Sequence, residues 1–167
     1  LLSLDDTLTV GLVSVTSGNN ANKGLAVNGS GTFSSLVVSA NTSLNIANGI
    51  TLSGATEIKS GTTLSLSSTG TFGSTLNLKG TLKGEKNQTI SGLISVGGDS
   101  SISIPAAGTT LTYTGGDINV GSNKLSIGGA GTFSNATNSA LVLNGTGSII
   151  DLTGTGTISG PVKLESG

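Results

Sequence analysis

Gly31-Thr32-Phe33-Ser34, Gly70-Thr71-Phe72-Gly73 and Gly131-Thr132-Phe133-Ser134 are near copies of one phrase, and their spacing decides the fold. The interval between the first two copies is close to two steps of one common length. The interval between the second and third copies is close to three such steps. A fixed period is typical of repeat proteins, in which each unit buries little alone and stacked units share one core. The sequence therefore predicts a stacked repeat with a period of about 20 residues.

The missing copies of this phrase are found by taking the same step along the chain. Each position on the resulting apolar track is preceded by Thr. The track reads Phe33, Leu52, Phe72, Ile90, Leu111, Phe133 and Ile158. If the track faces inward, the threonines face outward on one side of the protein, and we expect them to form a ladder that serves as an interaction face. These threonines are Thr32, Thr51, Thr71, Thr89, Thr110, Thr132 and Thr157.

Two further apolar tracks follow the same step, so that three anchors recur in each period. One track reads Val38, Ile58, Leu78, Val96, Ile118, Leu141 and Leu164, and the other reads Leu44, Leu64, Leu82, Ile102, Leu125 and Ile150. Segments such as Thr63-Leu64-Ser65-Leu66 alternate polar and apolar residues, which predicts short strands with one buried face. Glycines follow the first track closely and predict corners that need a positive φ. These are Gly54, Gly73, Gly92 and Gly160.

These patterns together predict an all-β fold, a single-chain parallel β-solenoid of triangular section. We expect about 20 residues per coil and about seven coils, in one domain that spans residues 1–167. Seven coils about 4.8 Å apart would make a rod roughly 34 Å long. An antiparallel sandwich and a trimeric fibre woven from three chains are the alternatives, and the near-constant period disfavours the sandwich. The pattern leaves the handedness open.

Composition excludes several functional classes. The chain has no His, Cys, Met or Trp, and more than half of its 167 residues are Gly, Ser, Thr or Asn. Without Cys or His there is no zinc finger, no thiol nucleophile and no Ser-His-Asp triad. With seven Lys, no Arg and a net charge of −1, the chain lacks the positive charge that nucleic-acid binding requires. No apolar run is long enough to span a membrane.

The charged residues do not form a pattern typical of a catalytic or metal site. We therefore expect no catalytic residue, no cofactor and no metal. Gly97-Gly98-Asp99 and Gly115-Gly116-Asp117 faintly resemble calcium-binding coils, but Ca²⁺ needs six to eight oxygens, so we interpret both as turns. Glu57, Lys59 and Lys79 are expected to form solvated ion pairs on an outward face. Five Asn-x-Ser/Thr sequences occur, close to the number that composition alone predicts.

The stretch from Gly24 to Gly160 resembles the Ser/Thr/Gly/Asn-rich β-solenoid regions of bacterial surface adhesins, as in filamentous-haemagglutinin-like and autotransporter passengers. It is also similar to the shafts of phage tail fibres. The resemblance implies an extracellular structural or adhesive protein at the cell surface, or a virion fibre. The absence of Met predicts that an upstream segment has been removed.

The expected mode of action is association rather than catalysis. No capping helix is visible at either end of the sequence, so we expect the ends to stack on neighbouring coils or on another copy, and such stacking yields a fibre. The hydroxyl ladder adds two candidate partners, a surface glycan and ice. The alternative functions are therefore a tail-fibre segment, which would be an obligate trimer, and an ice-binding module.

Overall fold

A computed structural model describes residues 2–4, 8–16, 25–27, 31–39, 41–44 and 50–165, with the side chains of residues 31–39, 41–42 and 50–165. Throughout these residues the regular elements are strands and there is no α-helix. All of the strand pairs are parallel. A parallel sheet requires a crossover between neighbouring strands, and here the crossover is the rest of one turn of the solenoid.

Each turn contributes one strand to each of three faces, always in the same order. The first face is an eight-stranded sheet. Its strands are β1 (Leu2–Leu4), β3 (Leu25–Val27), β5 (Thr42–Leu44), β8 (Thr63–Leu66), β11 (Thr81–Gly84), β14 (Ser100–Ile104), β17 (Lys124–Gly129) and β20 (Ile149–Gly154).

The second and third faces carry the strands that lie between those of the first. The second face holds β6 (Ile50–Leu52), β9 (Gly70–Phe72), β12 (Gln88–Ile90), β15 (Thr110–Tyr113), β18 (Thr132–Asn135) and β21 (Thr157–Ser159). The third holds β7 (Thr56–Ile58), β10 (Leu76–Leu78), β13 (Ile94–Val96), β16 (Ile118–Asn119), β19 (Leu141–Leu143) and β22 (Val162–Leu164). The two long strands β2 (Leu8–Thr16) and β4 (Gly31–Ser39) run along both of these faces, because β4 pairs with β6 through its first part and with β7 through its second.

The period follows from the pairing. Successive turns are roughly 21 residues apart. The step lengthens towards the end of the rod, since the interval from Leu82 to its partner Ile102 is shorter than the interval from Ile102 to its partner Ile127. The predicted single-chain parallel β-solenoid is confirmed, and the antiparallel sandwich is wrong for this chain.

The core is a narrow column of aliphatic side chains with three phenylalanines and one tyrosine. Strand side chains alternate, so that Leu64 and Leu66 are buried while Thr63 and Ser65, which alternate with them, are half-buried. Stacking places like residues beside each other, as in Leu64, Leu82 and Ile102, which are all 0% exposed. Each buried aliphatic side chain stabilises the fold by about 1.5–3 kcal/mol. Together these side chains supply the stabilisation that large aromatic residues supply in a globular core.

Where the structure describes the side chains, the predicted tracks are correct about which positions face inward, but they are wrong about several partners. Ile102 pairs with Ile127 rather than Leu125. Leu44 pairs with Leu66 rather than Leu64, and Leu141 pairs with Val162 rather than Leu164. Each error is a shift of two residues. A two-residue shift returns every side chain to the same face, so an alternating pattern cannot detect it.

The corner glycines act mainly by close approach. Gly160 has the expected positive φ of 138°, but Gly54, Gly73 and Gly92 do not. A Cβ at Gly54 would overlap the carbonyl oxygen of Ser34, and one at Gly92 would overlap that of Ser74, in each case in the preceding turn. Glycine is required there because a neighbouring backbone occupies the space of a side chain.

Candidate functional site

The predicted threonines all lie on the second face. Thr32, Thr51, Thr71 and Thr157 are exposed, and the remaining three are half-buried. The apolar residue that follows each threonine faces inward, as the alternation requires, and it is buried or partly buried in every case. The face is therefore polar and uncharged, and it presents hydroxyl and methyl groups.

The threonines form separate short columns rather than one ladder, since Thr51 and Thr71 lie on strands that are not paired with each other. Thr71 pairs with Thr89, but Thr89 pairs with Thr112, so Thr110 does not continue the first column. Thr110 instead starts a second column through Thr132 and Thr157. The interval between paired residues of β12 and β15 is two residues longer than the sequence pattern predicted. The column that begins at Thr110 starts at this position. The prediction of one seven-membered ladder is wrong in this respect.

An open hollow of about 420 Å³ lies on the second face, between the column of Thr71 and Thr89 and the column that begins at Thr110. Thr71, Thr89 and Thr112 line it together with Asn87 and Thr110. The groups that face it are hydroxyls, amides and backbone. This chemistry can hydrogen-bond water or a neutral polar molecule, and it offers no charge and no acid-base pair.

Asparagine and aspartate side chains at the corners bind successive turns together. Asn87 Oδ1 accepts the Thr110 N–H at 2.8 Å, and Asp117 Oδ1 accepts the Ala140 N–H at 2.7 Å, in each case from the next turn. Asn41 accepts the Thr63 N–H and Asp99 accepts the Lys124 N–H in the same way, whereas Asn144 accepts the Gly121 N–H from the preceding turn. Each bond satisfies a backbone N–H at a corner, where the sheet ladder cannot reach it. Sequence reasoning missed this role, because the asparagines carried no signal beyond composition.

The two Gly-Gly-Asp phrases do not form a common site. Asp99 precedes a first-face strand, whereas Asp117 precedes a third-face strand, so they lie at different corners. Each carboxylate accepts a backbone N–H of the next turn, which agrees with their interpretation as turns. Among the residues that the structure describes, no three His, Cys, Asp or Glu side chains are grouped so that they could hold a metal ion.

The charged residues pair across and along turns. Glu57 accepts a hydrogen bond from Lys79 Nζ at 2.8 Å, and Lys83 and Glu85 are 2.8 Å apart. Lys124 contacts Asp151 at 2.6 Å. The hydrogen bond from Lys79 lowers the pKa of Glu57 from its ordinary value of 4.5, and the charge of Lys59 acts in the same direction. These pairs lie at the surface, where each contributes about 0–1 kcal/mol.

Several polar side chains point inward, which the apolar tracks did not predict. Gln88 is 3% exposed, and its Nε2 donates to the carbonyl oxygens of Leu66 and Ser68. Asn135 is 5% exposed and donates to the carbonyl oxygens of Ser139 and Pro161. Both amides bind backbone at corners of the solenoid, so we assign them a structural role. Asn135 also lies in one of the five Asn-x-Ser/Thr sequences, and its side chain is buried in the folded rod.

Tyr113 is the one tyrosine of the chain and is fully buried. Its hydroxyl accepts the Ile94 N–H at 3.2 Å, and its ring stacks on Phe133 with centroids 6.4 Å apart. Burial raises its pKa above the ordinary value of 10.0, although the Ile94 hydrogen bond opposes the shift.

The described part of the chain contains no helix long and apolar enough to cross a membrane. Comparison of the whole chain with protein-family models, with curated proteins and with solved structures found no match.

Proposed function

We propose that this chain is a non-enzymatic extracellular structural or adhesive protein, a β-solenoid rod that serves as a filament subunit or as the stalk of an adhesin. The observation that carries the proposal is the division between a largely aliphatic core, buried before the last turn, and a hydroxyl-rich surface. That division supports a rod and provides no acid-base cluster within the described residues.

The rod would bear load through its backbone. Every described turn is paired with the next on the first face, shorter parallel sheets join most turns on the other two faces, and corner side chains such as Asn87 and Asp117 add further bonds. Force applied between the chain ends must break these parallel ladders turn by turn. The hydroxyl face and the ends of the rod are then the surfaces through which it makes contacts.

Surface location is the direct test of the proposed role. Antibodies raised against the purified chain should label intact cells that make the protein, and added protease should remove the label. An antibody against a cytosolic protein of the same cells is the control, since it should label them only after lysis. Labelling of this chain only after lysis would contradict an extracellular role.

An ice-binding module is the second candidate, because three successive turns present two hydroxyls side by side. These pairs are Thr110 with Thr112, Thr132 with Ser134, and Thr157 with Ser159. The candidate requires thermal hysteresis that Thr110→Tyr abolishes. A tail-fibre segment would instead be an obligate trimer, which light-scattering mass measures directly.

A further inference from the structure

The last turn of the solenoid leaves core positions uncovered. Leu152 follows Ile127 in the same column, and Leu152 is 62% exposed whereas Ile127 is 5% exposed. Val162 follows Leu141, and Val162 is 51% exposed whereas Leu141 is 0% exposed. Leu164 in the same turn is 83% exposed. These residues occupy positions that the next turn buries elsewhere in the rod, and no described residue covers them.

The same turn also ends three sheets at once. The last strands β20, β21 and β22 each pair with the preceding turn and have no partner on the other side among the described strands. Unpaired strand edges beside exposed apolar side chains are a template for further strand pairing. An occupant of this end must therefore offer parallel strands on all three faces together, and a single extended peptide cannot do so.

The first turn of a second copy meets this requirement. At the opposite end of the rod, β1 ends the first face and β2 ends the sheet that runs along the other two. In the register of the first face, the column that ends at Leu152 begins at Leu2. Along the other two faces β2 pairs with β4, so that Leu8, Val13 and Val15 lie opposite Gly31, Leu36 and Val38.

The spacing of these residues matches between the two ends. Leu2 and Leu8 are six residues apart, as are Leu152 and Ile158. Leu8 and Val13 are five residues apart, whereas Ile158 and Val162 are four residues apart. The last interval is two residues in both turns, from Val13 to Val15 and from Val162 to Leu164. The stretches that cross the three faces therefore agree in length to within one residue, and on the first face Leu2 and Leu152 belong to one column.

We infer that the C-terminal turn of one copy docks on the first turn of a second copy, so that Leu152 of one copy continues the column begun by Leu2 of the next. This inference rests on the proposed structural role and names the partner as the same chain. Head-to-tail contacts of this kind do not close, so the product is a fibre one solenoid wide.

Cysteine pairs in two separate populations test the contact, because the chain has no cysteine. Leu2→Cys and Leu152→Cys variants are mixed and oxidised, and a disulfide-linked dimer is expected at least tenfold faster than in a mixture of Leu2→Cys with Leu93→Cys. Leu93 is also exposed, at 44%, but lies away from the last turn. Equal rates in the two mixtures would overturn the inference.

Light-scattering mass and negative-stain microscopy of the full chain provide the second readout. We expect mass to rise with concentration and fibres of constant width, and we expect Leu152→Asp to raise the dissociation constant at least tenfold while Leu93→Asp leaves it unchanged. Circular dichroism establishes that both variants are folded. Monomers at every concentration would overturn the inference, yet surface labelling of intact cells would still support the structural role, so the two failures are distinguishable.

Discussion

Lys163 Nζ lies 3.1 Å from Asp117 Oδ2, although the two residues are 46 positions apart in the sequence. The strand that contains Val142 lies between them, since Val142 pairs with Asn119 on one side and with Lys163 on the other. Val142 occupies the outward position of its strand and is nevertheless only 1% exposed. The ion pair thus spans an intervening turn and ties the last turn to the rod.

Acid should weaken this tie. The Ala140 N–H and then Lys163 lower the pKa of Asp117 from its ordinary value of 3.8. A lowered pKa stabilises the fold above the ordinary value, and the contribution is lost as pH falls through the lowered one. We expect Asp117→Asn to show a smaller fall in melting temperature between neutral and acid pH than the parent chain. Glu165→Gln removes the same charge from an exposed side chain and serves as the control; a pH dependence unchanged in Asp117→Asn would contradict this assignment.

Alkali should reveal the buried tyrosine. Because the pKa of Tyr113 is raised, the unfolded chain loses this proton first, and stability falls as pH rises above about 10. The phenolate absorbance of Tyr113 should therefore appear together with loss of the β-sheet circular dichroism signal, whereas in denaturant it should titrate at its ordinary value. Ionisation at the ordinary value with the β-sheet signal intact would show that Tyr113 is accessible.

Close approach at the corners predicts a contrast between two glycines. Gly92→Ala places a Cβ on the Ser74 carbonyl, so we expect a loss of about 1–3 kcal/mol of unfolding free energy. Gly73→Ala places its Cβ at an ordinary 3.5 Å from Ser91 Oγ, and we expect a change within about 0.5 kcal/mol. Denaturant unfolding of both variants measures the difference. Equal losses would show that conformational freedom, rather than the neighbouring turn, explains these glycines.

A buried charge should unfold the rod. Leu64 is 0% exposed between Leu82 and the adjoining turn, so Leu64→Asp buries an unpaired carboxylate and costs more than about 4 kcal/mol. Ser65→Asp is the control, because Ser65 faces outward beside Lys83. We expect the control to keep a cooperative thermal melt and Leu64→Asp to lose it. A cooperative melt in Leu64→Asp would contradict the inward assignment of this track.

The sequence predicts the faces of this protein better than its register. Thr-Leu alternation and the regular step between repeats were enough to identify the solenoid and to separate Leu64 from Ser65. They could not separate Thr110 from Thr112 as the partner of Thr89, because both project from the same face. The corner bonds of Asn87 and Asp117 could not be predicted either, since they depend on which backbone N–H the next turn presents.

The register of the second face tests the turn-on-turn stacking most directly. Paired residues on neighbouring strands lie about 4.8 Å apart, and an offset of two residues raises this to about 8 Å, beyond the reach of a disulfide. We expect the Thr89→Cys, Thr112→Cys chain to form an internal disulfide readily on oxidation. The Thr89→Cys, Thr110→Cys chain should not, and equal or reversed rates would contradict the parallel register on which the fold and its end contacts depend.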